Sequence, residues 1–176
     1  MAKGIREIEL KILSELMKNS RISDRELARY LKVYQPTASR VRNRLEKEGY
    51  IKEYTFIPDF TKLGYNLMAV TLVARAQGFP QTDTTVLFKE AQKWAVKTGF
   101  DTVLALRGLG FGYDAVILSF HDSYSAYQER IKEIKQFPYI DVERITSFLV
   151  DLTDKAQYRP LTFSTLADHL LTLKKT

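Results

Sequence analysis

Hydrophobic positions fall into two regimes along this chain. Over the first fifty residues they recur at helical spacing; from residue 67 they come in short, nearly continuous runs. Ile5, Ile8, Ile12, Leu13 and Leu16 repeat at intervals that predict an amphipathic helix. "NSRIS" interrupts it. Ser23, with Glu26 three residues on, has the form of a capping box and predicts a second, short helix, "DRELARYL", burying Leu27, Ala28 and Leu31. After the break "KVYQP", Pro36 suits the first turn of a third helix, where its missing N–H costs nothing, and Gly49 ends that helix. Beyond Gly49 the period becomes two: "YIKEYTFIPDF" alternates and predicts a short strand pair, or wing. "PDFTKLGYN" carries the turn-forming residues of a linker.

The second regime begins with "LMAVTLVARA", a strand apolar on both faces and therefore expected to be covered on both. "GFPQTD" reads as a loop. "TTVLFKEAQKWAVKTG" is helical, with Leu87, Ala91, Trp94 and Ala95 on one side. "DTVLALRGLGFGYDAVILSF" predicts two strands joined by a glycine-rich turn. Ser123 caps a further helix whose expected buried stripe is Tyr124, Tyr127, Ile131 and Ile134; Pro138 stops it, and "VERITSFLVDLT" is a last strand. The order β-α-β-β-α-β is ferredoxin-like, with helices on one sheet face and the other open. An apolar open face needs a partner, and self-association is the simplest one. From Asp154 the chain leaves that pattern. Leu166, Leu170 and Leu173 mark an extra amphipathic helix, with Lys174 and Lys175 where the helix dipole favours them. Such a tail either meets a partner or packs back on its own domain. The expectation is thus an α+β chain: a winged helix-turn-helix at 1–57, a linker at 58–66, a ferredoxin-like unit at 67–154 and a helical tail at 155–176.

Composition excludes several function classes. The 176 residues contain no cysteine, which removes disulfides, thiolate metal sites and cysteine nucleophiles. No apolar run approaches the ~18 residues of a membrane helix, and no signal peptide is visible, so a cytoplasmic location is expected. Net charge is +6. Residues 1–60 hold 13 Lys/Arg against 9 Asp/Glu, an excess of four; the remainder holds 14 against 12, an excess of two. A polyanion partner for the first part fits that imbalance.

The third helix sharpens this. At about 100° per residue, Ala38, Val41 and Leu45 share a core stripe. Pro36, Ser39, Arg40, Asn43 and Lys47 lie opposite, with Arg42 and Arg44 on the flanks. A short helix, a tight break and a helix with this face make a helix-turn-helix, whose second helix fits the major groove of double-stranded DNA. Its early residues, Gln35, Pro36, Thr37, Ser39, Arg40 and Asn43, are then candidates for base edges. Arg42, Arg44, Lys47 and Lys52 are candidates for phosphates, which fix register without reading sequence. A solvated basic face on an ordinary bundle is the alternative; the helix lengths, Pro36 and the "GYIKEY" segment favour the groove.

In "IELKIL", "NSRISDRELARYLKV", "QPTASRVRNRLEKEGYIKEYTFIPDFTKLGY" and the closing "ITSFLVDL", the chain resembles the Lrp/AsnC, or feast/famine, regulators over roughly residues 5–155. The resemblance implies a winged-helix DNA-binding domain, a C-terminal dimerisation and effector domain, and sequence-specific transcription control. It implies a homodimer, often a ring of dimers, and a small effector such as an amino acid.

"RGLGFGYD" invites a phosphate-loop reading, but a strand rather than a helix follows it, so a hairpin turn is expected. By the resemblance, Gly110, Gly112 and Asp114 are effector-binding candidates. His121 and His169, the only histidines, suggest no metal site or Ser–His–Asp arrangement by their spacing, and no cofactor is expected. Two other classes remain open beside the DNA-binding regulator, which is not an enzyme. One is a tetrapyrrole decarboxylase on the same scaffold, with His121 and Arg107 as residues to watch. The other is an amino-acid sensor acting through a protein partner.

Overall fold

A computed structural model describes residues 5–76, 89–94, 97, 101–156 and 158–172. The chain divides into two compact units, one of residues 1–58 with 158–176 and one of residues 59–157.

The first unit is helical. α1 (Glu7–Lys18), α2 (Asp24–Leu31) and α3 (Gln35–Lys47) surround a core of Ile12, Leu16, Leu27, Ala28, Ala38, Val41 and Leu45. Ser23 caps α2 as its sequence predicts: its Oγ accepts from Glu26 N at 3.2 Å and the Glu26 carboxylate accepts from Ser23 N at 2.8 Å. The C-terminal helix, α6 (Ser164–Thr172), belongs to this unit and packs on α1. Ala167 is fully buried and Asp168 pairs with Lys18 at 2.7 Å. A small residue lets the two helices approach closely, so the tail packs through Ala167 while Leu166, from the expected leucine stripe, is exposed. Leu173 lies outside the described residues.

Residues 51–59 form no strand pair. Single contacts hold this segment to the helices instead. Ile51 packs on the helical core, Tyr54 O–H donates to Glu46 Oε1 at 2.6 Å, and Ser20 Oγ donates to Thr55 O at 2.8 Å.

The second unit is a four-stranded antiparallel sheet in the order β2-β3-β1-β4, built from β1 (Leu67–Arg75), β2 (Thr102–Gly110), β3 (Tyr113–His121) and β4 (Ile140–Asp151). α4, described at residues 89–94, and α5 (Tyr124–Lys135) complete the β-α-β-β-α-β order. Leu87 and Ala95 of the expected α4 stripe, and the loop at 78–83, lie outside the described residues. Cross-strand partners share a face, and Val73 pairs with both Ala115 and Ile145. That face packs Val73 and Ile117 under Ile134, with Trp94 and Ile131 around them. On α5, Ile134 of the expected stripe is buried and Tyr127 and Ile131 are half-buried, while Tyr124 is 58% exposed and Arg130 is buried beside them. Phe60 and Tyr65, from the segment expected as a linker, join the second unit: Phe60 stacks on Phe120 at 4.0 Å.

Candidate nucleic-acid interface

Three residues join α2 to α3. Lys32 adopts the left-handed conformation (φ 53°, ψ 45°) that ends α2, and Val33 N–H bonds Ala28 O at 2.9 Å while its side chain packs on the core. Tyr34 is the N-cap of α3, and its carbonyl accepts from Thr37 N and Ala38 N. Ala38, Val41 and Leu45 are buried, as the helical stripe predicts. Burial of that stripe fixes the rotation of α3. It turns Gln35, Pro36, Arg40, Asn43 and Lys47 to solvent, with Thr37 and Ser39 half-buried; Lys52 beyond the helix is exposed. Arg40, Lys47 and Lys52 have no ion pair among the described residues.

The two flanking arginines differ from that expectation. Arg42 Nε lies 2.9 Å from Asp24 Oδ1, and its Nη2 donates to Ile22 O at 2.6 Å. This guanidinium clamps α3 to the start of α2. Arg44 reaches Glu9 Oε1 and Glu48 Oε1, both at 2.7 Å. The Glu9 side chain is only 2% exposed and also accepts from Arg6 N, Nε and Nη2 at 2.7, 2.9 and 2.7 Å. Burial alone pushes the Glu9 carboxyl up, but the bonds from Arg6 and the charges of Arg6 and Arg44 outweigh it, so its pKa falls below the ordinary value. Of the four cations between Arg40 and Lys47, two hold the fold and two are free. Sequence alone did not separate them: Arg44 has a local partner in Glu48, but Asp24 and Glu9, which tie Arg42 and Arg44 to the other helices, lie 18 and 35 residues away in the chain.

The acids of α3 are also engaged. Glu48 pairs with Arg44, and Glu46 accepts from Tyr54, whose phenol is pushed up to about 12 by burial and by that bond. The result is a helix face carrying Gln35, Pro36, Ser39, Arg40, Asn43 and Lys47 and no acid. Arginine and asparagine are the side chains that pair with guanine and adenine edges, and free lysines suit phosphates.

In the second unit, Gly110, Gly112 and Asp114 sit around the β2–β3 hairpin. Gly110 pairs with Tyr113, leaving Phe111 (φ 52°) and Gly112 (φ 80°) as a two-residue turn. Positive φ at both central residues is the requirement of a type I′ turn. The Gly112 carbonyl accepts from Arg144 Nη2, and Asp114 Oδ2 accepts from Arg75 N at 2.8 Å. The hairpin thus brings the three candidates together, with one Asp114 oxygen already used by backbone.

The structure also assembles a Ser–His–Asp chain that spacing did not suggest. Ser119 Oγ is 2.8 Å from His121 Nε2, and His121 Nδ1 is 3.2 Å from Asp101 Oδ2. Ser119 and His121 are 2% and 3% exposed, so the hydroxyl faces packed protein and not a cleft. Burial holds His121 below its ordinary pKa although Asp101 pulls the other way. The group is a buried polar network, joined by the ion pair of Arg130 with Asp101 at 3.4 Å. Among the described residues, no three His, Asp or Glu side chains converge as a metal site, and no helix is long and apolar enough to cross a membrane.

Comparison with known proteins agrees with this geometry. A family profile described as winged helix-turn-helix DNA-binding matches residues 5–52. The HTH-type transcriptional regulator LrpC of Bacillus subtilis is 45% identical over 58 residues, 33% of this chain and 40% of that protein. The leucine-responsive regulatory protein of Rhizobium meliloti is 36% identical over 66 residues, 38% of this chain and 44% of that protein. The chain's match therefore spans less than half the length of these curated relatives. In fold the likeness extends further. The LrpC structure superimposes with a TM-score of 0.68 over 88% of this chain and 99% of that one, at 24% identity. A transcriptional regulator of Neisseria meningitidis, crystallised with L-methionine, gives 0.71 over 92% and 99%, at 16% identity. The N-terminal unit is thus similar in sequence to winged helix-turn-helix regulators of the Lrp type, and the chain as a whole shares the fold of the LrpC and AsnC structures.

Proposed function

We propose that the protein is a sequence-specific, double-stranded-DNA-binding transcription regulator rather than an enzyme, that it acts as a homodimer, and that a small effector such as an amino acid modulates it. The observation that carries this reading is the α3 face. It is polar, cationic and free of acids, and its Arg40 and Lys47 are unpaired among the described residues. Gln35, Pro36, Thr37, Ser39, Arg40 and Asn43 take the base edges, and Lys47 and Lys52 the phosphates. Arg42 and Arg44 contribute by holding α3 in place.

The sheet supports the dimer. Val70, Leu72, Leu104, Leu106, Val116 and Phe148 alternate with the helix-covered residues and so line the opposite face; Leu106 is 54% and Phe148 72% exposed. Two copies facing each other would cover it. The effector reading rests on the neighbour crystallised with L-methionine and on the hairpin residues Gly110, Gly112 and Asp114. Titration of a promoter duplex at rising salt tests the reading. Affinity falls steeply with salt, and Arg40→Ala weakens the specific site by roughly 1–3 kcal/mol. A protein with no salt-sensitive duplex binding, with or without amino acids, contradicts it.

A further inference from the structure

Tyr34 is 85% exposed at the N-cap of α3. Its ring lies outside the helical core, and its side chain makes no capping bond. Only its backbone serves the fold, through the carbonyl that accepts from Thr37 N and Ala38 N. A serine or asparagine there would cap the helix better. Stability therefore does not account for a large ring held in water at this position.

The neighbouring chemistry does. Ser39, Arg40, Asn43 and Gln35 on the reading face are hydrogen-bonding groups, suited to the polar atoms of base edges. Tyr34, with the smaller exposed Pro36 beside it, supplies apolar surface at the N-terminal end of α3. In a helix-turn-helix that end approaches the base edges. The one apolar group presented in the major groove is the thymine C5-methyl. We infer that Tyr34 is a specificity-determining residue that packs its ring on a thymine methyl at the start of α3. The inference rests on the DNA-binding reading above and adds to it a base and the group recognised.

The test begins with duplexes selected by the wild-type protein from a random pool. Each thymine of the selected site is then replaced by deoxyuridine, which removes the methyl alone. One replacement weakens wild-type binding about fourfold, the factor expected for one buried methyl. The same replacement leaves Tyr34→Ala binding unchanged, while Tyr34→Phe responds like wild type. The melting temperature of Tyr34→Ala does not fall, which separates contact with DNA from a structural role. Equal uracil responses in wild type and Tyr34→Ala overturn the proposal. So does a Tyr34→Phe variant as impaired as Tyr34→Ala, which would assign the phenol to a phosphate. A wild-type protein that selects no duplex sinks the DNA-binding reading itself; one that selects duplexes without a Tyr34-linked uracil effect sinks this proposal alone.

Discussion

Glu9→Gln is a small perturbation at a buried junction. Both Glu9 oxygens accept: Oε2 from Arg6 N, and Oε1 from Arg6 Nε, Arg6 Nη2 and Arg44 Nη1, all within 2.9 Å. An amide offers one oxygen and one NH2, so in either orientation a donor is set against a donor. One bond is lost and the rest lose the carboxylate's charge while the guanidinium donors keep theirs, worth about 1.5–3 kcal/mol in a buried setting. The Arg6 and Arg44 side chains are 58% and 39% exposed and can turn to water, which brings the expected loss to about 1–2 kcal/mol. In a unit of this size that lowers the melting temperature by about 5–10 °C. Acidity adds a signature. The folded carboxyl titrates below its ordinary 4.5, so its contribution is complete above that pH. It is lost as pH falls through the folded value, because the unfolded chain takes up its proton first. Scanning calorimetry at several pH values reads both effects: the gap between wild type and Glu9→Gln is largest near neutrality and narrows below about pH 4.5. A gap that is absent, or constant with pH, refutes the reasoning.

Three further outcomes follow from particular contacts. Arg42→Ala removes the Asp24 ion pair and the bond to Ile22 O, so urea unfolding shows a loss of about 1–2 kcal/mol; Arg40→Ala, at an unpaired surface position, leaves the same curve unchanged. Gly112→Ala strains a φ of 80°, while the Arg144 guanidinium beside it can turn aside, so the backbone strain costs about 1–2 kcal/mol in thermal unfolding of the sheet unit. Ala167→Leu overfills a fully buried contact between α6 and α1; the cost is about 1–3 kcal/mol, and hydrogen exchange along α6 rises before that of α2 and α3.

What the sequence made legible was what local chemistry decides. Ser23 and Glu26 formed their capping box, Ser123 capped α5 through Ala126 N, and Ala38, Val41 and Leu45 took the buried face of α3. Gly112 of "RGLGFGYD" turned the hairpin because its φ of 80° favours glycine, although the other positive-φ position of the turn is Phe111. What escaped it depended on distance along the chain. Arg42 and Arg44 look alike in sequence to Arg40, and it is the approach of Asp24 and Glu9, from other helices, that ties them to the fold. Nothing local tells Phe60 that it will stack on Phe120, or directs the tail to α1. Residues 51–59 misled for the opposite reason: a sequence alternation that looked like a strand pair forms no ladder, and the segment is held by contacts such as Tyr54 to Glu46 and Ser20 to the Thr55 carbonyl. The candidate site was therefore legible as a helix face. Its division into cations that brace the fold and cations without an ion pair among the described residues required the fold.

Fluorescence anisotropy of a labelled, selected duplex at graded salt tests the central claim most directly. The account predicts tight binding at low salt and a linear fall of log affinity with log salt. Arg40→Ala loses most of the preference for the selected site over a scrambled one. Lys47→Ala weakens both sites alike and lowers the salt slope by about one. Salt-insensitive binding, or a selected site that Arg40→Ala still prefers as strongly as wild type, contradicts the assignment of α3 as the reading helix.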